Sequence, residues 1–339
     1  AIRELYTMKR LIAEFEEQSF TQIIFPHKNS DWAKYLQEAE ETFVNIIKAI
    51  AKYQKCFIVC ADITYVKSLF SSHENLYFAD YETNDTWARD CSALSVEDNG
   101  EVKLLDFTFN AWGDKFEASK DNAMSKALAN IYLKDLESID FVLEGGAVES
   151  NGSDIILTTA ACMLNKNRNP HLNSIQVTQK LSEFFGAAKI LYLEHGYLAG
   201  DDTDSHVDTL ARLISKDTIM YVQCKDTQDE HYKELKLMEE ELQEMAQENN
   251  LKLIALPMSE AVYFDDERLP ATYANFLFVN GAVLVPTYGV KEDAQALEIF
   301  KETFPQRDII PINCFTLIKQ HGSLHCVTMN FPSAVRLLI

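Results

Sequence analysis

Apolar and polar residues alternate along the chain in a pattern that repeats five times. Each repeat is an amphipathic segment with the periodicity of an α-helix, followed within a few residues by an apolar run typical of a β-strand. The predicted pairs of helix and strand are Ala33–Tyr53 with Cys56–Cys60, Lys120–Leu136 with Ile139–Leu143, Ser174–Phe185 with Ile190–Leu193, Gln228–Asn249 with Leu251–Leu256, and Glu292–Phe304 with Ile309–Ile312. Further strands are predicted at Asp154–Thr159, Thr218–Cys224 and Phe276–Pro286, the last containing an Asn280-Gly281 turn.

The repetition of a helix with a small set of strands predicts an α/β protein. Periodicity leaves two arrangements open, a closed propeller-like ring of repeated units and a doubly wound sheet. No linker rich in Pro, Gly or Ser divides the 339 residues, so we expect one domain over residues 1–339.

The chain is strongly acidic, with a formal net charge of −21 at pH 7. This charge argues against a nucleic-acid partner, because binding to phosphates needs a basic surface. The same electrostatic field would attract a small cation to an acidic cleft. An acidic surface also serves simply to keep a protein in solution, so charge alone does not identify a ligand.

The 7 cysteines show no close pairing typical of a metal site. Cys56 and Cys60 lie in an apolar run and are predicted to be core residues. The set of cysteines indicates a reducing compartment. Residues 1–15 mix charges in a way that a signal peptide does not, and the apolar run Phe276–Val285 is too short to span a bilayer. We therefore expect a cytoplasmic protein, with Met8 as a candidate natural start and a homo-oligomer as an open alternative.

Two short motifs combine a carboxylate with residues that often border a cleft. In the motif Trp87–Asp90, Asp90 could bind a cationic group and Trp87 could form an apolar or cation–π wall. The alternative is a turn in which Asp90 pairs with Arg89 or caps a helix. Glu144 directly follows a predicted strand and precedes two glycines, where the backbone can approach a ligand. The alternative for this motif is a hairpin with an exposed glutamate.

An acidic segment surrounds one histidine in residues 200–208. Asp202, Asp204, His206 and Asp208 would face one side if the segment were extended. Such a set could ligate a metal ion, but no second cluster supplies further ligands at a recognisable spacing. His206 with Asp208 could instead be a base with an anionic partner. The structural alternative is a solvated loop that opens a helix-like segment, Val207–Leu213.

Cys326 is the candidate nucleophile, although most lone cysteines are buried and unreactive. Its neighbour His325 would point to the opposite face of a strand, so His206 is the better partner. A thiol, an imidazole and several carboxylates are the groups needed to attack a planar cationic carbon. Among carboxylates, the free Cys326 thiol should have a raised pKa, because nearby negative charge opposes the thiolate.

Taken together, these motifs resemble those of the agmatine deiminase family, which is grouped with the bacterial-type peptidyl-arginine deiminases. The resemblance extends over nearly the whole chain and is specific because many motifs occur in one order. The motifs are Phe25–Trp32, Trp87–Asp90, Phe109–Gly113, Glu144–Gly146, Leu164–Pro170, Gly200–Arg212, Leu269–Phe276, Val285–Gly289 and His325–Cys326.

The resemblance implies the pentein fold, a five-bladed α/β propeller with pseudo-fivefold symmetry and the active site on its axis. It also implies hydrolysis of a guanidinium to a ureido group and ammonia through a covalent thiouronium intermediate, without a metal or an organic cofactor. With agmatine as the cationic substrate, the product would be N-carbamoylputrescine, a precursor of putrescine. The implied roles are Cys326 as nucleophile, His206 as general acid and base, Asp90 and Asp208 as guanidinium ligands, Glu144 as the partner that orients and charges His206, Asp202 near the distal end of the substrate, and Trp87 and Trp112 as cleft walls.

Four positions depart from the family pattern but leave the catalytic residue types unchanged. They are Ala147 in place of a polar residue, Ser205 in place of glycine, Cys91 after Trp87–Asp90, and Asn330 in place of glutamine. Peptidyl arginine and free arginine are the alternative substrates. The alternatives from other classes are an amidinotransferase, which passes the amidino group to an amine, and an inactive guanidinium-binding relative.

Overall fold

The structure is a computed structural model that describes residues 9–339, so the candidate start at Met8 lies outside the described residues. The described strands, β1 to β19 in chain order, are Lys9–Leu11, Gln18–Ile24, Lys55–Cys60, Leu76–Asp80, Leu94–Asp98, Glu101–Thr108, Leu136–Val142, Glu149–Ser150, Ile155–Thr159, Lys189–Leu193, Ala211–Ser215, Thr218–Gln223, Lys252–Pro257, Tyr263–Phe264, Glu267–Arg268, Leu277–Val279, Ala282–Thr287, Asp308–Asn313 and Thr328–Pro332. The α-helices, α1 to α10, are Leu36–Ala51, Ile63–Ser68, Ala88–Cys91, Ala111–Asp114, Ser119–Ala127, Ala160–Met163, Ser174–Phe185, Tyr232–Asn249, Glu292–Thr303 and Phe315–Ile318. Short 3₁₀ helices cover Asp31–Tyr35, Gly145–Ala147 and Val207–Thr209.

Five sheets in this part of the chain share one connectivity. In each sheet an antiparallel pair of strands is joined through a helix to a third, parallel strand. The sheets have the strand orders β19-β2-β3-β4, β1-β5-β6-β7, β10-β9-β8, β11-β12-β13 and β16-β17-β18, and β14-β15 forms a separate hairpin. The crossover helices are α1, α5, α7, α8 and α9 in the order of the chain.

The predicted α/β class is confirmed. The strands form small separate sheets and do not form one doubly wound sheet. Each predicted helix is present, and Ser174–Phe185 has the predicted bounds. Leu235, Met238 and Leu242 on α8 are buried, and so are Cys56 and Cys60, as predicted. No helix within residues 9–339 is both long and apolar enough to cross a membrane.

One predicted boundary is wrong. The helix expected over Lys120–Leu136 ends at Ala127, and the following strand begins at Leu136. Between them the backbone turns so that Tyr132 is buried and stacks against Phe331, with ring centroids 5.3 Å apart. This contact with the C-terminal strand, together with the bridge from Tyr132 to Leu337, outweighs the helical preference of the segment.

The last strand of the chain pairs with the second strand in one sheet. The last strand, β19, pairs antiparallel with β2, whose other neighbour is β3. Asn330 pairs with Thr21 in this register, so the strand that directly follows Cys326 is held by the first unit of the chain. The nucleophile candidate is therefore positioned by residues distant from it in sequence.

Buried ion pairs connect several units. Arg212 on β11 is fully buried and donates to Glu149 at 2.6 Å, to Glu14 at 2.8 Å and to the Phe276 carbonyl oxygen at 2.6 Å. Its guanidinium also lies 4.3 Å from the centre of the Phe276 ring. Glu14 accepts a further bond of 2.9 Å from Arg89, so one carboxylate joins two guanidinium groups.

We predict that Arg212→Met lowers the free energy of unfolding by about 3–5 kcal/mol, because Glu149 and Glu14 each lose a buried cationic partner. Urea denaturation monitored by circular dichroism measures this change. Lys301→Ala is the control, since its pair with Glu298 is exposed on both sides and its loss should cost less than ~0.5 kcal/mol. Equal stabilities of the two variants would contradict a structural role for the Arg212 network.

Candidate active site

A cavity of about 160 Å³ contains several of the residues that the sequence motifs singled out. Its walls carry four carboxylates and three aromatic rings. The lining residues are Asp31, Asp85, Trp87, Asp90, Trp112, Phe116, Asp202, Thr203, Gln320, His321, Gly322 and Cys326. A single thiol and an excess of negative charge therefore meet in one concave site, which favours a cationic ligand.

Cys326 lies in a turn directly before β19, not in a strand, with 6% of its surface exposed. Asn275 holds this turn, because its Oδ1 accepts bonds from the backbone nitrogens of His325 at 2.9 Å and Cys326 at 3.3 Å. The Cys326 Sγ lies 3.4 Å from the same oxygen. Burial raises the pKa of the Cys326 thiol well above its usual value, and the negative charges of Asp208 and Asp90 raise it further.

Asp90 lies in α3, and both of its oxygens have defined donors. Its Oδ2 accepts a bond of 2.8 Å from the Trp112 ring nitrogen, and its Oδ1 accepts one of 3.0 Å from the Gly146 backbone. It does not pair with Arg89, whose side chain instead bonds Glu14 and Asn330. Burial raises the pKa of Asp90 to about 6, although the charge of His206 acts in the opposite direction.

His206 and Glu144 form a buried pair, and the guanidinium of Arg168 also binds Glu144. The His206 Nε2 lies 3.1 Å from Glu144 Oε1, and the Nδ1 lies 3.7 Å from Asp90 Oδ1. Arg168 binds Glu144 through Nε at 2.9 and 3.0 Å and through Nη2 at 2.6 Å. Burial opposes a charge on His206, but Asp90, the Cys162 thiol and Glu144 raise its pKa well above the usual value.

Asp208 is fully buried and has one satisfied oxygen and one unsatisfied oxygen. Its Oδ2 accepts a bond of 2.6 Å from the Nδ1 of His325. Its Oδ1 has no hydrogen-bond partner among residues 9–339. Burial opposes its ionisation, but the hydrogen bond and charge of His325, with the charge of His206, hold the pKa of Asp208 below its usual value. A buried anionic oxygen without a donor is costly unless a ligand supplies one.

Gly146 marks the point where three of these side chains converge. A Cβ atom at this position would lie 2.7 Å from His206 Nδ1, 2.8 Å from Asp90 Oδ1 and 3.0 Å from Asp208 Oδ2. A glycine is therefore needed for steric reasons. The two glycines after Glu144 allow close approach of the backbone, and Glu144 itself is buried and not an exposed residue of a hairpin.

The acidic segment does not adopt the extended form that its spacing suggested. Asp204 and Ser205 have φ angles of 65° and 64°, in the left-handed region, so the alternation of side chains between two faces is lost. Ser205 thus has a conformation that favours glycine. Asp204 turns away to Lys115 and Arg168, whereas Asp202 lines the cavity with a pKa raised to about 6 by burial and by the charge of Asp201.

The residues after His206 do not form the solvated loop and helix that the sequence left as an alternative. Val207–Thr209 is one short 3₁₀ turn that is buried, and the chain then enters β11. Both Trp87 and Trp112 line the cavity. Trp112 has a φ angle of 59°, and its ring nitrogen donates to Asp90. Trp87 packs against Gly322, where a Cβ would lie only 2.2 Å from its ring.

Several site residues had no role in the sequence analysis. Asn275 and Arg168 lie within quoted motifs, Leu269–Phe276 and Leu164–Pro170, and those motifs are the only sequence signal that points to them. Asp85 also lines the cavity, and its pKa is raised to about 7 by burial and by the charge of Asp121. No pattern of polar positions distinguished it from other loop aspartates.

One group of described side chains has the composition of a metal site. The ligand atoms of Glu144, Cys162 and His206 lie within 4.8 Å of one another. The guanidinium of Arg168 already bonds both oxygens of Glu144 and approaches the Cys162 Sγ at 3.6 Å. A metal ion would have to displace this cation, and the set Asp202, Asp204, His206 and Asp208 considered from the sequence does not converge.

The arrangement can bind a planar cation beside a thiol. Asp90 and Asp208 offer carboxylate oxygens, and His206 carries a proton that it can donate. A guanidinium bound by two carboxylates would be held in one orientation, because paired hydrogen bonds fix both its position and its plane.

Comparison with known proteins places the chain in a family. The model of the Porphyromonas-type peptidyl-arginine deiminase family matches residues 10–332. A C. jejuni agmatine deiminase with substrate bound is 39% identical, covers 98% of each chain and has a TM-score of 0.92. A Porphyromonas gingivalis chain, provisionally named an arginine deiminase, is 44% identical over 97% of this chain and 99% of that one, with a TM-score of 0.93.

A third solved structure, an agmatine deiminase of Enterococcus faecalis, is 27% identical over 98% of this chain and 99% of that one, with a TM-score of 0.89. The family match covers nearly all of the described residues, including each motif from Phe25–Trp32 to His325–Cys326. The chain therefore belongs to the Porphyromonas-type peptidyl-arginine deiminase family, and it shares the mixed α/β fold of the agmatine deiminases.

Proposed function

We propose that this protein is an agmatine deiminase, which hydrolyses the guanidinium of agmatine to N-carbamoylputrescine and ammonia. The observation that carries the proposal is the Asp208 carboxylate, whose Oδ1 is buried without a partner and whose charge acts on the Cys326 thiol together with that of Asp90. Two carboxylates beside a thiol match the shape and charge of a guanidinium. The substrate would supply the missing donors and would offset the like charge of the two aspartates.

In the proposed reaction the substrate cation lowers the pKa of the Cys326 thiol, the thiol gives its proton to solvent, and the thiolate attacks the guanidinium carbon. The His206 imidazolium then gives its proton to one nitrogen of the adduct, and the C–N bond to this nitrogen breaks. Ammonia departs, and a thiouronium remains on Cys326. Neutral His206 next takes a proton from water, and the hydroxide adds to the same carbon. Cleavage of the C–S bond restores the thiolate and releases the ureido product, whose extra proton passes to ammonia.

The amine end of agmatine is the reason to prefer it over arginine. Asp202, Asp85 and Asp31 line the cavity, so a second cation would be attracted there. The same charges would repel the carboxylate of free arginine, and neither lysine nor arginine is among the cavity residues. An arginine deiminase remains the second candidate, because the P. gingivalis chain provisionally named as one is 44% identical to this protein.

We also propose that the five units close into the five-bladed propeller of the pentein fold, as one catalytic domain. The shared connectivity of the five sheets and the pairing of β19 with β2 support a ring. A cytoplasmic location remains a prediction from composition. The seven cysteines are free and buried, which agrees with a reducing compartment.

The first test measures ammonia release from agmatine, from free arginine and from a peptide with an internal arginine, each without an acceptor amine. We expect agmatine to be the best substrate by kcat/KM. Cys326→Ser should abolish turnover and still bind agmatine, because a serine hydroxyl is a much weaker nucleophile than a thiolate. Mass spectrometry of the quenched enzyme should detect the thiouronium adduct in the wild type alone.

Controls separate the alternatives in this assay. Chelators should leave the activity intact, and a loss under chelation that added metal restores would establish a metal-dependent reaction. Transfer of the amidino group to an added amine, with release of putrescine from agmatine and no release of ammonia, would identify an amidinotransferase. Appreciable turnover by Cys326→Ser would exclude the covalent mechanism.

We predict that Asp90→Asn and Asp208→Asn each lower kcat/KM by at least ~100-fold, which corresponds to about 2.7 kcal/mol. Both changes keep the size of the side chain and remove its charge. Because the pKa of Asp90 is raised to about 6, the carboxylate is charged only above this pH, and wild-type kcat/KM should rise with pH through about 6.

The matched control is Asp140→Asn, an exposed change on β7 that should leave kcat/KM within about twofold of the wild type. A loss of less than about tenfold in Asp90→Asn or Asp208→Asn would show that this residue does not bind the guanidinium. Thermal melting of each variant checks that the fold is preserved.

We predict that Asp202→Asn raises KM for agmatine by roughly tenfold, or about 1.4 kcal/mol, with a much smaller effect on kcat. The expected contact is with the amine, which is equally charged in the ground state and the transition state. The variant should also discriminate less against free arginine, because one repulsive carboxylate is gone. An unchanged KM with a markedly lower Tm would assign Asp202 a structural role.

A further inference from the structure

His325 is enclosed by two carboxylates that belong to different parts of the chain. Its Nδ1 lies 2.6 Å from Asp208 Oδ2, and its Nε2 lies 2.6 Å from Glu14 Oε1. The side chain is 2% exposed, so water has almost no access to it. Alternation along a strand predicted that this side chain points away from Cys326, and in the observed turn its ring contacts Asp208.

The two contacts determine which atoms carry protons. An ionised carboxylate accepts hydrogen bonds and cannot donate them, so each ring nitrogen facing one must carry a hydrogen. His325 is therefore an imidazolium held between Asp208 and Glu14. Glu14 is in turn bound by Arg89 at 2.9 Å and Arg212 at 2.8 Å, which fixes the far end of the arrangement.

The same residue connects the nucleophile to the carboxylate. Its backbone nitrogen donates to Asn275 Oδ1 at 2.9 Å, and Asn275 Nδ2 donates to the Asp208 carbonyl oxygen at 3.2 Å. Cys326 follows directly in the chain. A shift of His325 would therefore change the position of Asp208 relative to the Cys326 thiol, and small displacements of this kind strongly affect rates.

We propose that His325 is a positioning residue, which occupies Oδ2 of Asp208 as a hydrogen-bond donor and keeps the anionic Oδ1 free for a guanidinium. This role rests on the proposed function, since it assigns Asp208 to the substrate cation. The interaction leaves Asp208 only one oxygen for the ligand and determines the direction from which the guanidinium is bound. Glu14 serves as the second anchor of the imidazolium ring.

Two variants of equal charge test the role. In His325→Asn the side-chain amide nitrogen can replace Nδ1 and still donate to Asp208. In His325→Gln the amide nitrogen reaches the position of Nε2 and donates to Glu14 instead. Both variants lose the positive charge, so their difference isolates the bond to Asp208. We expect kcat/KM for agmatine to be at least tenfold lower in His325→Gln than in His325→Asn.

The acid side of the pH profile gives a readout that general loss of stability would not produce. Without the donor at Oδ2, Asp208 should take up a proton more readily, so the fall of kcat/KM towards low pH should begin at higher pH in His325→Gln than in His325→Asn. Equal kcat/KM and superimposable pH profiles of the two variants would overturn the proposal, and so would a more active glutamine variant.

A measurement on the unaltered protein does not depend on catalysis, and a variant is needed only to assign the signal. Nitrogen-15 NMR of the histidine-labelled wild type should show a ring with both nitrogens protonated in addition to the His206 imidazolium, and this additional signal should be missing in His325→Asn. A neutral ring at His325 would overturn the proposal. If the wild type released no ammonia from any of the guanidines, the proposed function would fail, while this spectrum would still decide how His325 binds Asp208.

Discussion

The carboxylates near Cys326 stay ionised in the interior because hydrogen-bond donors and cations surround them. Glu144 binds Arg168 and His206, Asp208 binds His325, and Asp90 accepts from Trp112 and Gly146. A buried charge without such partners would cost several kcal/mol and would take up a proton instead. The geometry of the site thus depends on the pairing of opposite charges, and the surrounding sheets must hold those pairs in place.

The pairing is incomplete at the position where a substrate would bind. Asp208 keeps one buried oxygen without a donor, the pKa of Asp90 is raised to about 6, and the pKa of the Cys326 thiol is raised. Each of these features would be relieved by one added cation. A site of this kind holds unfavourable electrostatic energy in the free protein and recovers it on binding, which supports selection by charge. His325, in contrast, has partners for both of its ring nitrogens, because each nitrogen faces a carboxylate.

The secondary structure followed closely from the sequence wherever local signals agreed. The amphipathic pattern placed α7 at its observed bounds and α8 within a few residues, because burial of one face determines both the pattern and the packing. It failed at residues 128–135, where Tyr132 packs on Phe331. The extended conformation considered for the acidic segment was also wrong, because Asp204 and Ser205 have left-handed conformations. In one place a tertiary contact decided the structure, and in the other a backbone conformation did. The spacing of apolar and polar residues reports neither.

The sequence by itself determined the α/β class, the five repeats and, through the order of its motifs, the family and the residues to consider. Only the tertiary structure decided how those residues meet. It separated Asp202, which lines the cavity, from Asp204, which binds Arg168, although the two alternate in the sequence. It also revealed the bond between His325 and Asp208, which lie 117 positions apart. The physical reason is that hydrophobic periodicity reports burial along one element, whereas ion pairs and hydrogen bonds depend on distances of a few ångströms between elements.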